Sequence, residues 1–556
     1  MLRNLLDNYL SLISSPYIRS LQSEKIYATL KEALTYSSPM ELARIIESIS
    51  PGKVRDFVFD LRYYKLISPV FRTPVRTILV CNDKMNNGGV ERALSNIMPV
   101  WVNAGFKIIL VTSQNASKCD YPVPKEVVRC VVSDHDVGAY CEGLRTLIRK
   151  ENVDAIFVQK IVKTSYCWIN LLAIEEKILF FVEYHTSFAM LANSLSKDFS
   201  DVPDLLRLAD RSVSLSQTNQ YFFYSLGIKS YYIPNKSQFH LYSFEKNKPV
   251  DAPFEILWVG RPDDYMKQLD LAVEILYCVC KKNNNVHMTI VGVFDSASEN
   301  NKWIIKKIKK YRLGKMISFP GYQQDVAPFY KAADIFLSTS MTEGYPMTFL
   351  EAFSFRLPIV AFDLPYLDLA QNKATISVPQ RDVRAAAAAV FFLSKNPEIL
   401  ARLSDEAASV FQETEKFNFK KAWTDFFLGN SLEIGMDVTN AINQTALIIK
   451  TWYNETAVAR GKLIQYADQS SLFHKFFREL AMPDEIDYMT KGNPLKEVMT
   501  SIEYKVFMKN CPLRMRFSLF LKIYKLHPAR LEAKMIALVK KIKSTILFKL
   551  KLRDFR

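Results

Sequence analysis

The sequence predicts an α/β protein in which two doubly wound parallel sheets face each other across a cleft, with helical extensions at both ends. Short apolar strands alternate with amphipathic helices in two series, one on each side of a polar stretch at 245–253. The length of 556 residues agrees with this division, because a single hydrophobic core rarely serves more than about 300 residues.

Changes of pattern divide the chain into four segments. Residues 1–74 carry apolar side chains at three- and four-residue spacing and predict a helical N-terminal extension. The first doubly wound domain is assigned to residues 75–248 and the second to residues 249–415. Residues 416–556 are expected to form a helical C-terminal region with a basic amphipathic tail.

The first series begins at residue 77 with the β-rich run TILVC. A polar loop with Gly88 and Gly89 follows, then an amphipathic helix (VERALSNIMPVWVNAG) and a second strand (KIILVTS). Such a strand–loop–helix–strand unit predicts a parallel sheet with right-handed crossovers. Further strands are predicted at AIFVQ, ILFFVEY and RSVSLS.

The second series repeats this alternation. Strands are predicted at EILWVG, HMTIVG, MISFPG, IFLSTS and PIVAF, with helices such as QLDLAVEILYCVCKK and TFLEAFSF between them. Ligands of doubly wound sheets bind outside the carboxyl ends of the strands. Site residues are therefore expected in the loops that follow the strands.

The net charge of +16 is concentrated near the C-terminus. Residues 513–556 contain 13 Lys and Arg against 2 Asp and Glu. This distribution argues against a dedicated nucleic-acid binder and predicts a local electrostatic contact. The eight cysteines form no disulfide framework or zinc-site spacing, and neither a secretion signal nor a transmembrane stretch is predicted. We expect a soluble or surface-bound cytoplasmic protein.

The segment STSMTEGYPMTFLEA places Glu343 in the loop after a strand and Glu351 inside the next helix, among apolar neighbours. A carboxylate in such a helix is costly without polar partners, and sugar or ribose hydroxyls would supply them. The alternative is a solvated loop glutamate and a helix glutamate that pairs with an arginine.

Two cations follow another strand in ILWVGRPDDYMKQ. Arg261 comes directly after the strand, and Lys267 lies near the start of the next helix. Cations at the carboxyl edge of a sheet suit a diphosphate. The alternative is a surface loop in which these side chains pair with Asp263 and Asp264.

Gly88 and Gly89 would let the backbone approach a ligand at the start of a helix, although a plain tight turn is the alternative. The three-glycine fingerprint of dinucleotide-binding proteins is missing. His185 ends the strand ILFFVEYH, on the side expected to face the second domain. A lone histidine is more often structural.

Together these segments resemble glycosyltransferase family 4, whose members have the GT-B fold of two facing Rossmann-like domains. GGVERAL is similar to the family's first glycine loop, and IPN at 233–235 to the segment before its linker. Arg261 with Lys267 resembles its diphosphate-binding pair, and Glu343 with Glu351 its two-glutamate motif. The resemblance covers residues 77–430.

The resemblance implies roles for these residues in a retaining transfer from a nucleotide-diphosphate sugar. Arg261 and Lys267 would neutralise the diphosphate, and Glu351 would hold the ribose. Glu343, with Gly344 beside it, would hold the transferred sugar and stabilise charge at the anomeric carbon. His185 would contact the donor sugar, and Gly88 and Gly89 would lie near the diphosphate and the acceptor.

The resemblance also implies a hexose or hexosamine donor and a glycan or lipid-linked acceptor, with no metal and no other cofactor. The sequence departs from the family pattern at Arg356, where a glycine is usual, and at LPYLD (364–368), which replaces a glycine-rich segment. Both are expected near the donor sugar.

Other functions remain open from the sequence. Asp134 and Asp136, in VVRCVVSDHD, have the spacing of a metal-dependent glycosyltransferase of another fold. A catalytically silent protein that acts as a membrane-associated assembly partner is a second alternative, and an epimerase or phosphorylase of the same fold is a third.

The basic tail predicts an amphipathic helix. Leu531, Met535, Leu538, Ile542, Ile546 and Leu550 recur at three- or four-residue spacing, with lysines on much of the remaining surface. We expect residues 513–556 to lie on an anionic membrane surface, on its cytoplasmic face. The alternative is a helix that docks on the protein's own core.

Overall fold

Two parallel sheets organise the described part of the chain. The structure is a computed structural model, and it describes residues 1–13, 22–64, 66, 74–86, 88–161, 165–187, 198–225, 227–242, 249, 251–295, 298–364 and 366–430. All of these residues belong to one compact unit, Met1–Glu455. The predictions for residues 431–556, including the basic tail, lie outside the described residues.

Four helices precede the first sheet: α1 (Leu2–Leu12), α2 (Ser23–Tyr36), α3 (Pro39–Ile49) and α4 (Val54–Tyr63). α3 begins with a capping box, in which the Ser38 hydroxyl accepts from the Glu41 amide and the Glu41 carboxylate accepts from the Ser38 amide. The Met40 amide donates to Glu175 of the first domain (2.7 Å). The bond from Met40 attaches α3 to the first domain.

The first sheet has seven strands: β1 (Thr77–Cys81), β2 (Lys107–Thr112), β3 (Val128–Val131), β4 (Ala155–Val158), β5 (Leu179–Tyr184), β6 (Arg211–Ser214) and β7 (Ser230–Tyr232). Their order is β3-β2-β1-β4-β5-β6-β7, and every pair is parallel. The helices between them are α5 (Gly89–Asn103), α6 (Val137–Glu151), α7 (Ser165–Glu175), α8 (Asp198–Arg207) and α9 (Gln217–Ser225).

The second sheet has six strands: β8 (Phe254–Val259), β9 (Val286–Val291), β10 (Ile317–Gly321), β11 (Ile335–Ser338), β12 (Ile359–Phe362) and β13 (Thr375–Val378). They run parallel in the order β10-β9-β8-β11-β12-β13. The helices are α10 (Leu269–Cys280), α11 (Glu299–Tyr311), α12 (Ala327–Ala332), α13 (Met347–Ser354), α14 (Val383–Lys395), α15 (Pro397–Glu415) and α16 (Phe419–Leu428).

Each sheet reverses its direction of winding once. In the first sheet the reversal lies between β1 and β4, and in the second between β8 and β11. Loops diverge at such a point and leave a crevice at the carboxyl ends of the strands, where ligands bind. The loops after these four strands are therefore the ones expected to position a site. The two doubly wound parallel sheets confirm the predicted fold class.

The last described helix, α16, returns to the first domain. Trp423, Phe426 and Phe427 are buried in the same core as Trp101 and Phe157, and the Trp101 and Trp423 rings lie 4.8 Å apart in an edge-to-face arrangement. The prediction placed α16 in a C-terminal region that starts at residue 416. The structure instead packs α16 against the first sheet, because its aromatic stripe completes that core.

We predict that Phe427→Ala lowers the free energy of unfolding by about 3–5 kcal/mol, since it removes a fully buried aromatic side chain. The matched control is Leu428→Ala on the same helix. Leu428 is 41% exposed, so its truncation should cost less than about 1 kcal/mol. Urea denaturation of the full chain, followed by tryptophan fluorescence, measures both. Equal losses would contradict the docking of α16.

Candidate functional site

Both domains line one cleft of about 670 Å³ at the carboxyl ends of their strands. It brings together all eight of the predicted site residues: Gly88, Gly89, His185, Arg261, Lys267, Glu343, Gly344 and Glu351. Most of these residues follow β1, β8 or β11, the strands at the reversal points. Their placement agrees with the general position of ligand sites in doubly wound sheets, in the crevice at the carboxyl ends of such strands.

The two walls of the cleft touch at Gly344. A Cβ atom at this position would clash with the backbone carbonyl oxygen of His185. Beside it, the hydroxyls of Ser187 and Thr342 are 3.0 Å apart, and the Asn235 side-chain amide donates to the Tyr345 carbonyl at 3.1 Å. Glycine at 344 therefore lets the backbones of the two domains meet at the edge of the cleft.

Lys267 and Glu343 form an ion pair on the second-domain wall, with 2.6 Å between Nζ and Oε1. Both side chains are largely buried, with 24% and 11% exposed. The loop is held from behind by Tyr366, whose hydroxyl accepts from the Glu343 amide and donates to Thr342. A cation and a carboxylate are thus fixed side by side at the end of β11.

Arg261 is the more exposed cation of the predicted pair. Its side chain is 70% exposed and contacts the Asp264 carboxylate at 2.5 Å. An exposed pair of this kind contributes little stability, so the guanidinium can exchange Asp264 for an anionic ligand at small cost. The predicted alternative of a surface pair with Asp264 also describes this contact.

Glu351 is buried in α13 with only 3% of its surface exposed. The Tyr330 hydroxyl donates to its Oε2 at 2.8 Å, and the Gln238 amide approaches Oε1 at 3.5 Å. Arg92 of the first domain lies 3.9 Å from the same Oε1. Burial raises the pKa of Glu351, and the charge of Arg92 and the hydrogen bond from Tyr330 oppose this rise. The predicted need for polar partners is met by these three side chains.

On the first-domain wall, Gly88 and Gly89 lie at the start of α5. A Cβ atom at Gly88 would clash with the Glu91 carboxylate, which folds back over the loop. Glu91 in turn accepts from Lys160 at 2.9 Å, and Lys160 also donates to Asp83 at 3.0 Å. Burial would lower the pKa of Lys160, and its hydrogen bonds with Glu91 and Asp83 raise it overall. Lys160 therefore stays cationic in the cleft.

His185 lies at the end of β5 and belongs to a buried hydrogen-bonded group. Its Nε2 lies 2.9 Å from the Glu183 carboxylate, to which the Gln159 side-chain amide also donates at 2.6 Å. The Gln159 amide nitrogen also lies 3.0 Å from Nε2, so this ring nitrogen donates to Glu183 in one tautomer and accepts from Gln159 in the other. Glu183 thus fixes the orientation of the predicted histidine.

The sequence motifs did not identify Arg92, Glu183, Lys160, Tyr330 or Tyr366 as parts of the site. One signal was available for Glu183, which stands two residues before His185 in an otherwise apolar strand and therefore shares its face. No comparable signal existed for Arg92 and Tyr330, because their contacts depend on how separate elements come together.

The structure explains the two departures from the family pattern, Arg356 and LPYLD (364–368). Arg356 adopts a left-handed conformation (φ 58°) after α13, where glycine is favoured. Its side chain pairs with Asp405 and does not line the cleft, so its expected position near the donor sugar is wrong. Tyr366, in LPYLD, instead supports the Glu343 loop.

Asp134 and Asp136 lie between β3 and α6 and do not line the cleft. Asp136 is the N-cap of α6, and its carboxylate accepts from the Ala139 amide at 2.6 Å. Within the described residues, no group of three or more His, Cys, Asp or Glu side chains is arranged to hold a metal ion. No helix in the described ranges is long and apolar enough to span a bilayer.

Residues 242–410 match the family model described as glycosyl transferases group 1. An uncharacterised glycosyltransferase of Haemophilus influenzae is 23% identical over 58% of this chain and 90% of its own length. The amylovoran biosynthesis glycosyltransferase of Erwinia amylovora is 25% identical over 52% of this chain and 81% of its own length.

Solved structures show the same fold. The sucrose-phosphate synthase of Thermosynechococcus elongatus superposes with a TM-score of 0.52 at 17% identity, over 62% of this chain and 96% of that one. A pneumococcal O-GlcNAc transferase in complex with UDP and GlcNAc gives 0.50 at 14% identity, over 64% and 98%. The chain is thus a nucleotide-sugar glycosyltransferase with the GT-B fold, and the predicted enzyme class is confirmed.

Proposed function

We propose that this chain is a retaining glycosyltransferase of family 4 that transfers a hexose or hexosamine to a glycan or lipid-linked acceptor in surface polysaccharide or glycolipid synthesis. The observation that carries the proposal is the cleft in which Lys267, Glu343 and Glu351 face His185. These residues are the groups that a diphosphate, a ribose and a sugar require.

The names of several similar proteins support this class of donor and acceptor. One is the amylovoran biosynthesis enzyme of Erwinia amylovora, which points to polysaccharide synthesis. Others are a poly(ribitol-phosphate) α-N-acetylglucosaminyltransferase of Staphylococcus aureus and an α-galactosylglucosyldiacylglycerol synthase of Streptococcus pneumoniae. Their sugars are hexoses or a hexosamine, and the last acceptor is a lipid.

In the proposed reaction the bond between the anomeric carbon and the diphosphate oxygen breaks, and the acceptor oxygen bonds to the same face of that carbon. The acceptor proton passes to the departing diphosphate. Lys267 and Arg261 stabilise the negative charge on the diphosphate, and Glu343 stabilises positive charge at the sugar. We propose that no divalent metal takes part, because these two cations supply the positive charge.

Lys267 lies between the negative charge of the diphosphate and the positive charge at the sugar. Its Nζ bonds Glu343 at 2.6 Å, and an ammonium group has three donors. Lys267 can therefore keep the bond to Glu343 while it donates to a phosphate oxygen. The glutamate thus positions the cation, and the ion pair places both charges beside the reacting carbon.

We predict that Glu343→Ala and Glu351→Ala differ in kind. Glu351→Ala should weaken binding of UDP about 10- to 100-fold, because it removes charged hydrogen-bond acceptors for the ribose. Glu343→Ala should leave UDP affinity unchanged or improved, since it frees Lys267, while turnover falls about 10²- to 10³-fold. Calorimetric titration and a donor-turnover assay measure the two effects.

The matched control for these variants is Glu398→Ala, an exposed carboxylate on α15 away from the cleft. It should change neither affinity nor turnover. If Glu351→Ala binds UDP like the wild-type protein, its ribose role is wrong. A large loss of UDP affinity in Glu343→Ala would contradict the separation of roles.

We also propose that residues 513–556 hold the enzyme on the cytoplasmic face of an anionic membrane. The 13 Lys and Arg of this segment support the proposal, since each is worth roughly 1 kcal/mol near an anionic leaflet. A lipid-linked acceptor would then be within reach of an enzyme held at the same surface.

We predict that the full chain co-sediments with vesicles that contain phosphatidylserine or phosphatidylglycerol, and that a chain ending at residue 512 does not. The binding should weaken as salt rises, because exposed charges are screened. Vesicles of phosphatidylcholine are the control for non-specific pelleting. Equal sedimentation of the two chains with anionic vesicles would reject the tail as the anchor, and indifference to salt would reject its electrostatic basis.

A further inference from the structure

Arg92 crosses from the first domain to the nucleotide side of the cleft. It lies in the first turn of α5, next to the glycine loop, and its Nη1 is 3.9 Å from Oε1 of Glu351 in α13. Only 10% of the Arg92 side chain and 4% of the Glu351 side chain are exposed. This is an ion pair between the two domains, and it is shielded from solvent.

The first domain fixes the position of Arg92. Its guanidinium carbon lies 4.4 Å from the centre of the Tyr121 ring, a cation–π contact. The Tyr121 amide donates to the Met85 carbonyl at 2.6 Å, in the loop after β1. Stacking on a tyrosine that is itself held by the loop limits the freedom of the guanidinium, so its direction towards Glu351 is set by the first domain.

Glu351 depends on this cation because its other contacts are neutral. Tyr330 on α12 donates to Oε2, and Gln238 in the linker approaches Oε1. Among the described residues, Arg92 and Tyr330 are the titratable groups that act on this carboxylate. A buried carboxylate without a nearby cation takes up a proton far more readily than an exposed one.

We propose that Arg92 is a positioning residue through which the first domain maintains the nucleotide site of the second. Its guanidinium keeps the buried Glu351 carboxylate ionised and turns Oε1 towards the cleft. This inference rests on the proposed function, in which Glu351 holds the ribose. It adds that nucleotide binding by the second domain requires a charge from the first.

The separation between the two groups suits this role. At 3.9 Å the guanidinium is close enough to attract Oε1 electrostatically, but it is too distant for a direct hydrogen bond. Besides the contact with the Gln238 amide at 3.5 Å, Oε1 can accept a hydrogen bond from a ribose hydroxyl while the carboxylate keeps its counter-charge. Arg92 itself forms no bond to the nucleotide in this arrangement, and it acts through Glu351.

The direction of the pH effect follows from the sign of the shift. Burial raises the pKa of Glu351, and Arg92 lowers it. Without Arg92 the pKa rises further, so the carboxylate becomes protonated at a higher pH and loses acceptor capacity there. Nucleotide affinity should then fall as pH decreases, and the fall should begin at a higher pH than in the wild-type protein.

The experiment compares the pH profile of nucleotide affinity in full-length Arg92→Met, Arg92→Lys, Glu351→Gln and the control Arg76→Met, an exposed arginine before β1. The probe is whichever of UDP, GDP and ADP binds the wild-type protein most tightly by calorimetry, between pH 5.5 and 9. Circular dichroism and melting temperature verify the fold of each variant.

We expect Arg92→Met to match the wild-type affinity at high pH and to bind about tenfold more weakly at low pH, for each unit by which the pKa has risen. Arg92→Lys should restore much of the profile, because it restores the charge. Glu351→Gln should bind weakly at every pH, and Arg76→Met should behave like the wild-type protein.

Other outcomes separate this inference from the function it rests on. If no nucleotide binds the wild-type protein, or Glu351→Gln binds normally, the proposed function fails. If Glu351→Gln binds weakly but Arg92→Met keeps the wild-type profile, the inference alone is overturned. A uniform loss at all pH values in Arg92→Met would mean direct contact with the nucleotide and would also overturn it, as would tighter binding.

Discussion

The loop after β5 and the loop after β11 meet backbone to backbone at Gly344, and the cleft between the domains depends on this contact. A side chain there would strike the His185 carbonyl, and the neighbouring Ser187–Thr342 hydrogen bond would be pulled apart. Because His185 and Glu343 flank the contact on opposite domains, a change at this point would move the two walls of the site relative to each other. The chemistry proposed for the cleft needs both walls at once.

The cleft beside this contact contains several charged side chains that are largely shielded from solvent. Three buried carboxylates that line the cleft have a cation close by: Lys267 is beside Glu343, Lys160 beside Glu91, and Arg92 beside Glu351. A buried charge without a partner would cost several kcal/mol. A diphosphate could therefore bind without breaking these ion pairs. Each lysine has further N–H donors for a phosphate oxygen, and Arg261 is exposed and can contact the diphosphate as well.

Much of this arrangement could be predicted from the sequence. The contacts that could not be predicted join separate segments of the chain and leave no local sequence pattern. Alternating strands and helices predicted both sheets, and the positions of Glu343 and Lys267 after strands predicted that both belong to one site at the carboxyl edge of the sheet. Strand β7 has only three residues, too few for a pattern. The docking of α16 and the reach of Arg92 to Glu351 could not be predicted, because a stripe of aromatic residues or an arginine in a helix does not reveal its partner in another segment.

The most direct test of the account is time-resolved proton NMR of the full-length enzyme with UDP-glucose or UDP-N-acetylglucosamine, with and without EDTA, and with water or an added glycan as acceptor. Both donors carry an α-linked sugar, and retention without a metal predicts an α-configured first product formed at the same rate in EDTA. A first product with β configuration would contradict the account. So would a rate that is lost in EDTA and restored by Mn²⁺.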